Sequence, residues 1–478
     1  MNLTRDRAIV LVSMVILLFL VFHFRKSIKG PLKKVYYFVI DKKIYIMLIV
    51  LLIQLLITVT SLGLAAADTT IIYNIVTSSN YASHIDYISM NPNNFLLVIW
   101  MKFNYILFKT NVVVALAIWN ILFIDAFILI IYHIHKSFFP KLQANISFIL
   151  LVLIIGLSPQ YLYTYSDSIT LFLLSLFVLL VVFSVRNKKN KILSFLSGTV
   201  LAIAYGFRPT VLIFVIAGFI VLLYSLMSKK YRNLVLNNIK SILIVILSFF
   251  IFNRALSYAL NHQQIVSYEP NQSRTLLYYA DLGLTYSGNI HSEISRDVWV
   301  SKGDNRNKLA LEEIKTRLDS YSFTSFTGHL FYKFYWITGE GMFGWIQERV
   351  LSEKVRMNIH WLKKIQDTHF ASWVRTYIYA EGKNYFYYAS FIQMVWIIIS
   401  IGLVLSTFFF SRNNAFQLWM QISLFGGILF LMLFEGGRTR YMIQFLPAII
   451  TVSSQGLFNT YMRFKHTSTS DLEKELDF

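Results

Sequence analysis

The 478-residue sequence contains no cysteine, which excludes disulfides and thiolate metal sites. Charge is scarce as well. Asp, Glu, Lys and Arg make up 14% of the chain against 56% hydrophobic residues, a balance that places it among polytopic membrane proteins. Acidic residues are the scarcer sign, 24 against 44 Lys and Arg, for a net charge of +20. The basic residues sit in short clusters between apolar runs, with no basic face or recognition motif, so nucleic acid is not an expected partner and anionic membrane lipid is the natural counterion. Proline is rare, seven residues in all. Of these, Pro92, Pro159, Pro209 and Pro447 fall in or near expected loops or helix ends, where proline marks boundaries or kinks. A P-loop, a dinucleotide-binding glycine fingerprint and a His-Glu-x-x-His helix are all missing, so nothing supports a nucleotide-driven pump or a nucleotide-sugar enzyme.

What the sequence has in abundance is long apolar runs. A spanning helix needs about 20 mainly apolar residues, and about eleven segments qualify: 8–23, 44–66, 111–132, 144–160, 167–185, 193–207, 210–227, 240–257, 389–411, 415–434 and 441–461. The first is followed by RKSIKGPLKK rather than by a small-residue cleavage site, so it reads as an uncleaved span. The basic stretch Arg25 to Lys43 sets the orientation by the positive-inside rule. That places 65–110, 159–167, Arg208, 258–388 and 435–441 outside, and the tail 463–478 in the cytoplasm. The alternation holds only if Phe95 to Phe108, interrupted by Lys102 and Asn104, lies along the interface instead of crossing. The expected architecture is an all-α polytopic membrane protein. It comprises an N-terminal transmembrane module (1–257), a mostly helical extracytoplasmic subdomain (258–388) and C-terminal transmembrane helices (389–462).

The candidate chemistry lies at the ends of these spans. The polar loop AAADTTIIYNIVTSSNYASHIDYISMNPNN, residues 65–94, carries Asp68 and Asp86. Asp68 is either a general base on an incoming hydroxyl or a helix-capping residue before TIIYNIV, and Asp86 reads the same way more weakly. Asp167 stands at the external start of a span, with Ser166 competing for the cap. Asp125 lies mid-span, where an ionisable group is paired or functional. Arg208, Arg438 and Arg440 fall at external helix ends, either snorkelling or gripping phosphate oxygens in fork geometry.

Several ordered pieces resemble one family. These are Asp68 in the first external loop, MNPNNFLLVI (90–99), YTYSDSITLF (163–172), GFRPTVLI (206–213), LGLTYSGNI (282–290), EEIKTRLDSYSFTSFTGHLFYKFYWITGEGMFGW (312–345) and EGGRTRYMIQFLP (435–447). Together they are similar to the multispanning GT-C glycosyltransferases that use polyprenyl-phosphate sugars, the protein-mannosyltransferase-like superfamily, nearest its uncharacterised Gram-positive branch. The resemblance implies an inverting transfer of a sugar from a polyprenyl-phosphate carrier to an extracytoplasmic acceptor, such as teichoic acid, another cell-wall polymer or another glycoconjugate, at the cell membrane. It casts Asp68 as the base. It casts Asp86, Asn93, Asn94, Asp167, Arg208, Lys333, Glu340, Arg438, Arg440 and Tyr441 as substrate-binding residues. No cofactor is expected, although some relatives use a divalent cation. The sequence departs from the pattern at Met90 and Asn91, and at Tyr278, where the branch often carries histidine. The competing readings are a lipid-linked polysaccharide polymerase or ligase, and a non-enzymatic flippase or transporter.

Overall fold

The computed structural model describes residues 41–186, 190–228, 232–344, 350–409, 414–436 and 438–464, with scattered positions between 12 and 23. Most of the expected first span, most of the basic stretch after it and the tail beyond Phe464 lie outside the described residues. Among the described residues the chain is helical, and β pairing is limited to one isolated bridge between Gly63 and Arg356. Among the described residues, nine helices are long and apolar enough to cross a membrane. The protein is an all-α polytopic membrane protein.

The helices follow the apolar runs closely. They are α1 (Lys43–Ser61), then, after a loop carrying α2 (Asp68–Thr77), α3 (Ser79–His84) and α4 (Tyr87–Met90), α5 (Phe95–Phe108) and α6 (Val112–Phe138). Next come α7 (Lys141–Leu151), α8 (Ser166–Arg186), α9 (Lys191–Phe207), α10 (Leu212–Met227) and α11 (Arg232–His262). The segment 258–388 carries α12 (Leu276–Leu284), α13 (Arg296–Val300), α14 (Gly303–Ser320), α15 (Phe323–Thr338), α16 (His360–Gln366) and α17 (His369–Ile378). The chain then closes with α18 (Tyr385–Ser406), α19 (Ala415–Leu433) and α20 (Leu446–Phe464). The expected segment 193–207 appears as α9, a shorter apolar helix of 17 residues. Pro92, Pro159 and Pro209 each open a 3-10 turn, where the missing N–H has no helical partner to lose.

Polar side chains inside the bundle answer one another, because hydrocarbon offers no water to satisfy them. Asp125 in α6 accepts from Gln54 Nε2 of α1 at 3.0 Å, and the same amide donates to the Gly156 carbonyl. Asp125 is therefore paired inside the bundle. His135 bridges Ser147 at 2.6 Å and Thr451 at 2.7 Å, joining α6, α7 and α20. The final span is the central one, with 89% of its best window buried, against 17% for α11. Its small residues permit this. A Cβ on Gly456 would stand 2.0 Å from the Gly402 carbonyl oxygen of α18.

The segment 258–388 contributes to two cores. Tyr278, Leu282, Ile294, Val298 and Ala310 gather α12, α13 and α14 around a small cluster of their own. Ile337, Met342, Phe343, Leu362 and Val374 join the main core. The stretch around α16 and α17 also finishes α1, whose last carbonyls have no helical partner. Arg375 Nη1 donates to Thr60 O, the Tyr379 hydroxyl to Ser61 O and Gln366 Nε2 to Leu62 O. The end of α1, and the loop leaving it, are thereby held from both sides.

Candidate functional site

Beyond α1 the backbone is pinned twice more, by Leu64 N to Val355 O at 2.9 Å and Ala66 N to Val350 O at 3.0 Å. Ala67 then takes φ 71, ψ −139, a left-handed conformation that costs a non-glycine residue about 1–3 kcal/mol. The turn delivers Asp68 as the first residue of α2. Asp68 does not occupy the cap position, which belongs to Ala67 with no side-chain cap bond. Instead its side chain lines a cavity of about 800 Å³, within the range of small-molecule sites.

A chain of hydrogen bonds runs beside this carboxylate. The Tyr165 hydroxyl donates to Asn94 Oδ1 at 3.1 Å, and Asn94 Nδ2 donates to the Tyr87 hydroxyl at 2.7 Å. Tyr87 in turn lies within electrostatic reach of Asp68. Burial pushes the Tyr87 phenol well up, with Tyr165 and Asp68 adding to the effect. Burial also pushes Tyr165 up to about 12. Both phenols thus remain protonated. Asn94 is buried, and with Asn93 it forms the 3-10 turn just before α5.

Arginines line the same cavity. Arg208, at the end of α9, pairs with Asp167 of α8 at 2.6 Å and donates from Nε to Ser166 Oγ at 3.0 Å. Arg440 approaches the other Asp167 oxygen at 3.6 Å and lies over the Tyr165 ring, 4.8 Å from its centroid. Two guanidinium groups thus share one buried carboxylate, leaving a surplus positive charge on the cavity wall. Gly344, at φ +93, makes room behind this arrangement, since a Cβ there would meet Arg440 Cβ at 2.3 Å. Arg438 and Tyr441 also line the cavity.

Four of the residues assigned to the site from the sequence lie off the lining. Asp86 is exposed at the start of α4. Lys333 is fully buried and donates to the carbonyls of Gly283, Met432 and Phe434 at 2.8, 2.8 and 2.9 Å. It ties α15 to the end of α19, and burial lowers its ammonium to about 8. Glu340 accepts from the Thr439 hydroxyl at 3.1 Å, bracing the segment that carries Arg440. Asp167 acts from behind the wall through its arginines.

Other lining residues were not singled out from the sequence. Arg274, from the segment between α11 and α12, donates to Asn91 Oδ1 at 3.2 Å and stacks over Trp299 and Tyr278. His291 hydrogen-bonds the Tyr278 hydroxyl through Nδ1 at 2.8 Å. Burial, reinforced by Arg274 and Arg438, lowers its imidazole to about 4, so it is neutral near pH 7. Tyr278, where the resembling branch often has histidine, thus stands against a histidine from another turn. Glu435 receives a short hydrogen bond from the Tyr441 hydroxyl, and burial raises its carboxyl above the ordinary range. The quoted EGGRTRY stretch was the available clue for Glu435, but an acid beside two arginines in sequence reads equally well as a surface charge.

The cavity can therefore hold an anion by its arginines while presenting an oriented carboxylate to a hydroxyl. Among the described residues no group of three or more His, Asp or Glu is placed to hold a metal ion. No curated protein matches the sequence at a significant level. The profile of the conserved hypothetical integral membrane protein family matches residues 2–459, and the chain belongs to that family.

Proposed function

We propose that the protein is an inverting membrane glycosyltransferase of the GT-C type. It moves a sugar from a polyprenyl-phosphate carrier to a hydroxyl of an extracytoplasmic acceptor, such as a cell-wall polymer, at a site facing the outside of the cell membrane. The observation that carries this reading is that Asp68, beside the Tyr165–Asn94–Tyr87 hydrogen-bond chain, lines one cavity together with Arg208, Arg274, Arg438 and Arg440. The acceptor oxygen attacks the anomeric carbon, and its proton passes to Asp68. The bond from that carbon to the phosphate oxygen breaks, and the phosphate leaves with the electron pair. Arg438, Arg274 and the Arg208–Arg440 pair stabilise its charge. A single displacement inverts the anomeric centre and needs no second catalytic carboxylate of the kind glycosidases use.

The test is sugar transfer by the full chain reconstituted in liposomes, with polyprenyl-phosphate sugars as donors and wall glycans as acceptors. Asp68→Asn is expected to lower turnover about 10²–10⁴-fold while donor affinity persists. Equal turnover by the variant would remove Asp68 as the base. Lipid movement between leaflets without transfer would overturn the transferase and leave a flippase, and transfer of whole lipid-linked chains would indicate a polymerase or ligase.

A further inference from the structure

The cavity is lined by two acidic residues, each with its own tyrosines. Asp68 stands beside Tyr87 and Tyr165, and Glu435 beside Tyr441 and Tyr279. Arg440 is in electrostatic reach of both carboxylates. Nothing in the displacement described above uses Glu435.

This second residue is firmly held. Lys333 holds the carbonyls of Met432 and Phe434, immediately before Glu435. Gly436 N donates to Gly288 O at 3.1 Å, immediately after it. Gly283 lets α12 approach so closely that a Cβ would stand 2.6 Å from the Leu433 and Phe434 carbonyl oxygens. Glu435 thus sits on a short segment fixed on both sides, with its carboxylate oriented by Tyr441. Such placement is what a recognition group needs, because the ordering cost is met before a ligand arrives.

The charge of Glu435 restricts what can lie against it. Arg438, Arg440 and Arg274 all act on Glu435, so a phosphate they hold lies near this carboxylate, and direct contact between the two would set like charges against each other. A neutral, hydroxyl-rich group has the opposite effect. Its O–H groups donate to the carboxylate oxygens, and its C–H faces lie against the Tyr441 and Tyr279 rings.

We propose that Glu435 and Tyr441 form the sugar-reading part of the cavity, binding hydroxyls of the glycosyl group while the arginines take the phosphate. The assignment rests on the reading of the cavity as a site for a phosphate-linked sugar. It makes Glu435 a specificity-determining residue distinct from Asp68.

The experiment measures affinities of the full chain in lipid nanodiscs for a ten-carbon prenyl phosphate, and for the same lipid carrying glucose, galactose or mannose. Wild type is expected to prefer at least one glycosylated lipid over the bare phosphate by tenfold or more. Glu435→Gln is expected to cut that preference about tenfold, the worth of a hydrogen bond to a charged group, with affinity for the bare lipid within twofold of wild type. Tyr441→Phe, which keeps the ring, is expected to cut the preference a few-fold. Absence of any sugar preference in wild type would overturn the assignment. So would a preference unchanged in Glu435→Gln, or an equal loss of affinity for bare and glycosylated lipid. The two readings fail separately. A preference lost in the variant with no transfer by wild type keeps the sugar-reading assignment and removes the transferase, while transfer with an unchanged preference does the reverse.

Discussion

The Asp167 carboxylate holds the Arg208 guanidinium at 2.6 Å, with the two side chains only 6% and 10% exposed. The pair joins the start of α8 to the end of α9, and Arg440 closes on the same carboxylate from the far end of the chain. Asp167 is thus one step removed from any ligand. Its work is to orient two arginines whose like charges would otherwise push apart in a poorly solvated place.

Removing that carboxylate should be costly. Asp167→Asn leaves two buried guanidinium groups without their shared counter-charge, and breaking a buried pair costs about 3–5 kcal/mol. Unfolding of the purified protein in detergent micelles, followed by circular dichroism, should show a loss of that order. Arg208→Gln added to Asp167→Asn should restore part of it, because the second change removes one of the stranded charges. A single variant as stable as wild type would show that water reaches and solvates the site.

The small core beneath α12 should respond to pH. Asp281 is fully buried, and burial, with the neighbouring Glu313, raises its carboxyl from 3.8 to about 6 despite the Arg317 Nε at 2.9 Å. Arg317 also bonds Glu313 and the Glu293 carbonyl. Between these two values the folded form binds more protons than the unfolded form, so this group's contribution to stability falls as pH rises from about 4 to about 6 and levels off above. Hydrogen exchange across residues 276–320 should quicken over that window. Asp281→Asn, which cannot titrate, should flatten the change. A slope of the opposite sign would mean that the Arg317 pairing outweighs burial.

Packing at the bundle centre should tolerate no added atom at Gly456. A Cβ there meets backbone, Gly402 O at 2.0 Å and Ser406 N at 2.6 Å, and backbone cannot swing aside as a side chain can. Gly456→Ala should force α18 and α20 apart and cost about 1–3 kcal/mol. Gly328→Ala in α15, where a Cβ meets nothing within 4 Å, should instead be stabilising by up to about 1 kcal/mol. Thermal unfolding of the two variants side by side checks both signs.

The sequence by itself determined the class and the spans. Apolar runs of the right length are a local property, and ten of the eleven expected segments coincide with helices whose ends differ by up to about nine residues, the remaining one lying mostly outside the described residues. The break between α5 and α6 was equally local, since Lys102 and Asn104 interrupt one run and Lys109, at φ 48, starts the next turn. The placement of Asp68, Asn93, Asn94, Arg208, Arg438, Arg440 and Tyr441 around one cavity was legible in outline, because all lie at span ends that alternation assigns to one side. Tertiary structure alone decided which polar groups reach the cavity. Arg274 and His291 arrive from a segment whose path is set by contacts with the first loop and with the end of α19. Lys333 carries the same charge as Arg274 but turns away to satisfy three carbonyls. Asp86 and Asp68 share a loop, yet only Asp68 is aimed inward, because a strained alanine and a backbone pinned to residues nearly three hundred positions later fix its direction. Hydropathy is summed along the chain and survives without the fold, whereas the direction of a side chain depends on what packs behind it.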